Sequence, residues 1–307
     1  MAPDLSKGAA WMKGEIIPIA EATIGVTDWG VTHSDITYDV VPVVNGAFFR
    51  LDAYLTRFMA SLKLTRMDPG LSRDAIAKAL HAMVAASGLR DAYCAMVSAR
   101  GTPIIPGSRD PRDCGNHFYA WCVPYIHVIK PETLDQGASV WIAEHTRRIP
   151  PDSVNPRAKN YHWGDFTQGL FEAKDAGYET VVLLDHQGNL TEGPGFNIFL
   201  VEGNTVFTPD TGVLEGISRR TALEICTEMG LETRVEPVPA SRLDTADEVF
   251  LTSSGGGILP ITKVGTRIFG NGKPGPLAAR ARATYWDWVN RPDLRSEIAY
   301  ADGPPPA

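Results

Sequence analysis

Lys159, Glu192, Arg57 and two small-residue segments are the places in this 307-residue chain where residue type and setting could do chemistry. Lys159 lies between a turn-rich loop, Arg147 to Pro156, and the aromatic-rich run Asn160-Tyr161-His162-Trp163-Gly164-Asp165. Desolvation by such neighbours lowers an amine's pKa and makes it a nucleophile toward carbonyls, although most lysines are solvated surface residues. Glu192 is followed by Gly193-Pro194-Gly195, small residues that let backbone approach a ligand. Its carboxylate could pair with a ring nitrogen, or it could be a plain turn glutamate. Gly216-Ile217-Ser218-Arg219 opens a helical pattern, whose first free N–H groups attract anions. Ser253-Ser254-Gly255-Gly256-Gly257 follows a strand pattern and offers hydroxyls and amides to an anion. Both segments also fit an ordinary cap or turn. Arg57 sits in an apolar helical face beside Phe58, where it could snorkel or aim its guanidinium at a buried phosphate. The sequence has no H-E-x-x-H, Walker A, G-x-S-x-G or G-x-G-x-x-G pattern, and its seven histidines and four cysteines lack metal-site spacing. No metal centre is expected.

The elements that must position these residues follow from period and punctuation. A strand and turn are expected over 11–17, and strands over 36–50 interrupted by Asn45-Gly46, the strongest short hairpin signal. Tyr54, Leu55, Phe58, Met59 and Leu62 share one helical face, and a second helix runs from Ser72 to Gly88. Strands are expected at 93–100, 117–124, 139–145, 180–184, across 190–207 and at 248–252. Helices are expected at about 160–176, from Ser218 to near Gly230, and at 276–290. The reading is α/β of α+β type: a small N-terminal domain (1–124), a linker (125–137), a larger C-terminal domain (138–295) and a disordered tail (296–307). The formal charge is −7 and the apolar fraction 44%. An acidic globular chain is a poor binder of nucleic acid or anionic membranes. With no apolar leader, no bilayer-length apolar run and no C-x-x-C, a cytoplasmic protein with reduced thiols is expected.

Individually weak, these signals occur in a telling order: an arginine on an early helix, a lysine, a glutamate 192 − 159 = 33 residues later, a helix-opening G-I-S and an S-S-G-G turn. The chain resembles the fold type IV pyridoxal-phosphate enzymes, or class IV aminotransferases, from about Gly8 to Asn290. The most specific stretches are L-T-E-G-P-G-F-N-I-F at 190–199, L-E-G-I-S-R at 214–219 and A-D-E-V-F-L-T at 246–252. The segment His33-Ser34-Asp35-Ile36-Thr37-Tyr38 further resembles the H-S-D-x-T-Y of (R)-selective amine transaminases, as does Lys159-Asn160 followed by Trp163-Gly164-Asp165.

The resemblance implies a two-domain D-amino-acid aminotransferase-like fold and pyridoxal 5'-phosphate held on Lys159 as a Schiff base. It implies Glu192 as partner of the pyridine nitrogen, with Arg57, Ile217, Ser218 and Ser254 around the phosphate. Serine stands at 218 and 254 where the family more often has threonine, which keeps the hydroxyl. The substrate side is implied to be lined by His33, Tyr38, Val40, Tyr93, Trp163, Gly195 and Gly255, with Trp163 also flanking the cofactor. The implied reaction moves an amino group from an (R)-amine to a keto acid or ketone. A branched-chain or D-amino-acid aminotransferase is the alternative on the same fold. The loop Arg100-Gly101-Thr102-Pro103-Ile104-Ile105-Pro106-Gly107-Ser108-Arg109 is apolar where related amine transaminases carry a carboxylate-binding arginine, and leaves Arg100 and Arg109 as donors. The resemblance also implies a homodimer with a shared active site.

Overall fold

A computed structural model describes residues 4–301. Its packing divides the chain into two units. The first holds the described residues up to Ile126, together with Ala158–Tyr161 and those from Arg291 on. The second holds His127–Arg157 and His162–Asn290.

The first unit is built on a seven-stranded antiparallel sheet. Strands β1 (Ala9–Met12) and β2 (Glu15–Pro18) turn at Lys13-Gly14, and β3 (Ile36–Val44) and β4 (Ala47–Phe49) at Asn45-Gly46. All four turn residues have positive φ, the geometry that matches strand twist in two-residue hairpins. Between the hairpins lies a single turn of helix, α1 (Trp29–Thr32), capped by the Asp28 carboxylate on Gly30 N–H. Helices α2 (Leu51–Thr65) and α3 (Arg73–Ser87) follow, then β5 (Ala92–Ala99) and β6 (His117–Pro124). Helix α3 begins with the Ser72 hydroxyl accepting from Ala75 N–H and ends on Gly88 at φ 70°. Tyr54, Phe58 and Leu62 of α2 and Ile76, Leu80 and Met83 of α3 are buried, each burial stabilising by roughly 1.5–3 kcal/mol. The strand order is Arg295–Glu297, β4, β3, β5, β6, β1, β2.

The second unit opens with α4 (Pro131–Gln136) and β7 (Ala138–Arg147), then α5 (Gly164–Asp175) and β8 (Thr180–Leu184). Strands β9 (Glu192–Gly193), β10 (Phe196–Glu202) and β11 (Thr205–Thr208) lead to α6 (Ile217–Glu228) and β12 (Glu232–Val235). Strands β13 (Glu248–Ser253), β14 (Gly257–Val264) and β15 (Arg267–Ile268) precede α7 (Pro276–Val289). The sheet runs β12-β11-β10-β13-β14-β7-β8, with β9 beside β10 and β15 beside β14. Its centre is antiparallel and its ends are parallel. The two parallel pairs of sequential strands, β7/β8 and β11/β12, are joined through α5 and α6, the crossover that parallel pairing requires. Along β8, Val181 and Leu183 face the Phe166 cluster under α5, while Val182 faces the main core with Ile198, Leu251 and Ile261.

Several expected boundaries differ. The helix expected from Asn160 starts at Gly164, because Asn160 is held in a bridge to Thr37 and Trp163 takes the cap position. The 125–137 stretch holds α4 with Leu134 buried, so it is packed structure rather than an open linker. Lys159 belongs to the first unit, not to the larger one. Arg295–Glu297 pairs with β4, so order extends past 295; the end of the expected tail, 302–307, lies outside the described residues. Strands β12 and β14 had no expected counterpart. Pro260 interrupts the β14 pattern, and it sits opposite Phe250 where pairing to β7 has not yet begun.

Candidate active site

Strand β4 pairs with only the last residues of β3, which leaves the first half of that β3 edge open. The segment Ala158–Tyr161 takes it. The Lys159 carbonyl accepts from Tyr38 N–H at 3.0 Å and from the Thr37 hydroxyl at 2.8 Å, and its N–H donates to the Ser61 hydroxyl of α2 at 3.3 Å. The lysine is therefore fixed by its own backbone, while Nζ lies 4.5 Å from the centroid of the Tyr38 ring. A half-buried amine whose backbone is anchored is suited to attack a carbonyl or carry a proton near one place.

Beside it, Arg57 donates from Nε and Nη2 to the two oxygens of Asp39, at 2.8 and 2.6 Å. Asp39 is fully buried and Arg57 is 11% exposed at its side chain. Burial pushes the guanidinium pKa down and the adjoining Asp39 charge more than offsets it. The expected phosphate ligand is thus oriented by an aspartate that the sequence reading did not single out. Arg100, one of two expected carboxylate donors, is used otherwise. It pairs with Asp35 and donates to the Thr65 and Arg66 carbonyls at the end of α2. Arg109 is exposed in the loop that also exposes Ile104 and Ile105.

One face of the first sheet is aromatic. Tyr38 and Val40 of β3 and Tyr93 of β5 share it, as expected, and are joined by Tyr119, Trp121 and Tyr161. Tyr161 packs on Tyr38 at 4.3 Å and Trp121 stacks on Tyr93 at 5.7 Å. Burial pushes the Tyr93 hydroxyl up to about 12, Tyr38 adding to the effect and Lys159 opposing it. Burial likewise pushes Tyr119 up to about 12 and raises Tyr161 further. These hydroxyls stay neutral and able to donate. His33 stands apart from this cluster: it is exposed at the end of α1, with its ring on Trp29 and Nδ1 bonded to Thr32.

In the second unit Glu192 is buried, and both its oxygens are held. Oε1 accepts from Arg148 Nη2 at 3.2 Å; Oε2 accepts from Leu214 N–H at 2.9 Å and Asn197 Nδ2 at 3.2 Å. Arg148 also donates from Nη1 to Asp165 at 2.6 Å and lies 4.3 Å over the Phe166 ring. A carboxylate so held can accept a further hydrogen bond from a cationic ring N–H. Gly193 has no room for a side chain, since a Cβ would meet the Phe196 ring and the Val181 carbonyl.

An anion cradle lies in the same unit. Helix α6 has no side-chain cap, and its first intrahelical bond is donated by Arg220 to Gly216, so the Ile217 and Ser218 amides precede the ladder. The Ser218 hydroxyl is 3.2 Å from that of Tyr285, and a Cβ on Gly257 would come within 2.6 Å of the Tyr285 ring. Tyr285 thereby packs both the helix start and the turn carrying part-buried Ser254. Ser253 fixes that turn, accepting from Gly255 N–H and donating to the Gly195 carbonyl. Trp163 lies beside Gly195, where a Cβ would be 4.0 Å from its ring. A phosphorylated pyridine aldehyde calls for an amine, an anionic acceptor and a phosphate cradle. The first unit carries the amine and the second the other two, so the donor set fits this group. Among the described residues no His/Cys/Asp/Glu cluster could hold a metal ion, and no helix is long and apolar enough to cross a membrane.

The sequence reading missed Asp39, Arg148, Asp165, Asn197 and Tyr285. Asp39 had a signal, as a lone acid in the apolar run Ile36–Val44. The others meet their partners only through the fold.

The class IV amino-transferase family model matches residues 37–264. A putative branched-chain-amino-acid aminotransferase of Methanocaldococcus jannaschii is 28% identical over 90% of this chain and 95% of its own. The D-alanine aminotransferase of Bacillus licheniformis is 27% identical over 86% of this chain and 91% of its own. A crystal structure of the branched-chain amino acid aminotransferase from Thermobaculum terrenum, in its PLP-bound holo form, superimposes with a TM-score of 0.84. It has 25% identity and covers 96% of this chain and all of its own, a likeness of fold.

Proposed function

The chain belongs to the class IV aminotransferases, which use pyridoxal 5'-phosphate, and from that premise we propose that it transfers the amino group of an (R)-amine to a keto acid or ketone. When bound, the cofactor supplies a ring that takes up the electron pair of the breaking Cα–H bond. Lys159 Nζ would hold the cofactor's aldehyde carbon until the substrate nitrogen replaces it there, and the freed Nζ would then take the proton from the substrate Cα and pass it on. The backbone bonds of Lys159 to Tyr38, Thr37 and Ser61 fix the point from which that amine reaches. Glu192 holds the proton on the ring nitrogen. Ile217, Ser218, Ser254 and Arg57 bind the phosphate. Tyr38, Val40, Tyr93, Trp163, Gly195 and Gly255 would line the substrate.

The observation that carries the amine reading is the aromatic sheet face next to Lys159. Its cluster joins Tyr38, Tyr93, Tyr119, Trp121 and Tyr161 with Val40 and Val97, and Arg100 is committed to Asp35 and helix carbonyls. Such a surface suits an aryl or alkyl amine better than a fixed carboxylate. The names of the similar proteins favour the second reading, an aminotransferase of branched-chain or D-amino acids. Parallel assays with (R)-1-phenylethylamine, L-leucine and D-alanine, each with pyruvate or 2-oxoglutarate, separate the two. Turnover of the amine above both amino acids is expected; turnover of leucine or D-alanine alone would replace the first reading with the second. Borohydride reduction should fix the cofactor to the protein, and Lys159→Ala should abolish that adduct. An adduct that survives the substitution would place the attachment elsewhere. A homodimer is proposed on family grounds, and light scattering of the holoenzyme tests it.

A further inference from the structure

Glu192 is one corner of a buried trio. Arg148 follows β7 and is 8% exposed; its Nη1 bonds Asp165 at 2.6 Å and its Nη2 bonds Glu192 at 3.2 Å. Asp165 lies in the first turn of α5 and is itself pinned, by Ile149 N–H at 2.9 Å and Phe166 N–H at 2.8 Å. The shorter bond draws the guanidinium toward Asp165, so Glu192 shares a cation rather than owning one. Arg148 Nε is buried without a hydrogen-bond partner. The group is thus held in place by its two carboxylates and the Phe166 ring. Glu192 also acts on Arg219, whose guanidinium is occupied by the Thr208 hydroxyl and the Pro209 carbonyl, with Asp210 and Glu215 nearby.

Two carboxylates and one guanidinium leave the trio one unit negative. Were Asp165 absent, Arg148 would neutralise Glu192 alone, and the acid would be a poorer partner for a protonated ring nitrogen. Uncompensated buried charge acts strongly on such a neighbour, because little water screens it. We propose that Asp165 and Arg148 are positioning residues that set the net charge facing the cofactor's ring nitrogen: Arg148 holds Glu192 in place, and Asp165 offsets the positive charge of the guanidinium. This rests on the reading of Glu192 given above.

The test is charge counting in the holoenzyme, read by the 15N chemical shift of ring-labelled pyridoxal phosphate. Asp165→Asn brings the trio to neutral and should move the ring nitrogen toward its unprotonated shift, with kcat falling about tenfold, one pK unit's worth, and KM unchanged. Asp165→Asn with Arg148→Gln returns the trio to one negative charge and should bring the shift back toward that of the unsubstituted enzyme. Asp165→Ser, which keeps an acceptor for the α5 amides, serves if Asn does not fold. A ring-nitrogen signal unchanged by loss of the Asp165 charge overturns the proposal. So does a double variant no nearer to the parent than the single one, since a purely structural aspartate would give that result. Glu192→Gln separates the two levels: an unchanged ring signal in that variant would instead refute the pairing of Glu192 with the ring.

Discussion

Asp39 and Arg57 are a pair in which each member needs the other. The carboxylate is fully buried and the guanidinium nearly so, with two hydrogen bonds between them. Breaking such a pair leaves one uncompensated charge in a low-dielectric site, at about 3–5 kcal/mol. Asp39→Asn should lose stability of that order in urea denaturation and should release the cofactor more readily on dialysis, since Arg57 would no longer be aimed. An Asn variant as stable as the parent would mean that the guanidinium finds another partner. At this scale the sequence was informative where the chemistry is local. Lys159, Glu192 and Ser218 stand out by their small or aromatic neighbours. Arg148 and Asp165 do not, because the residues that make them matter lie 44 and 17 positions from Arg148.

Elements were legible where period and punctuation agree. The second hairpin turn follows its Asn45-Gly46 signal and α3 its Ser72 and Gly88 signals, whereas α2 follows its apolar face alone and is bounded by Arg50 and Arg66. The start of α5 lies later than expected because Asn160 is taken by β3, a tertiary partner that no local pattern reports. The first sheet, taken as one element, makes its own prediction. Tyr93 and Tyr119 have an ordinary value of 10.0 that burial pushes up to about 12. The folded form therefore keeps its protons where the unfolded form loses them. The resulting stability is fully present below pH 10 and drains away as pH rises to about 12, by roughly 2–3 kcal/mol for each tyrosine at most. Melting temperature should fall through that window, and Tyr93→Phe with Tyr119→Phe should flatten the fall. An equally steep fall in the double variant would assign it to other groups.

At the scale of the molecule, the first unit is assembled from three separated stretches of chain, and none of the joins is visible in sequence. Composition and motif order point to two units, but which one owns a segment is settled by non-local strand pairing. The C-terminal stretch is firmly attached. Arg295–Glu297 pairs with β4, Ser296 meets His81 at 3.1 Å, and Tyr300 donates to the Leu89 carbonyl while Arg90 lies 3.7 Å over its ring. Deleting residues from 292 onward should lower the unfolding midpoint of the first unit while leaving the second near its own, so urea denaturation should resolve two transitions. Unchanged unfolding would show that the last strand adds nothing to the sheet.

The same pairing sets an order on synthesis. The partner that completes β4 is made 295 − 49 = 246 residues after that strand, and the stretch bearing Lys159 emerges well after β6. At about 5–20 residues per second, a nascent chain carries an unfinished sheet edge for on the order of ten seconds or more. Over that interval the outer edge of β4 is open to pairing with another strand.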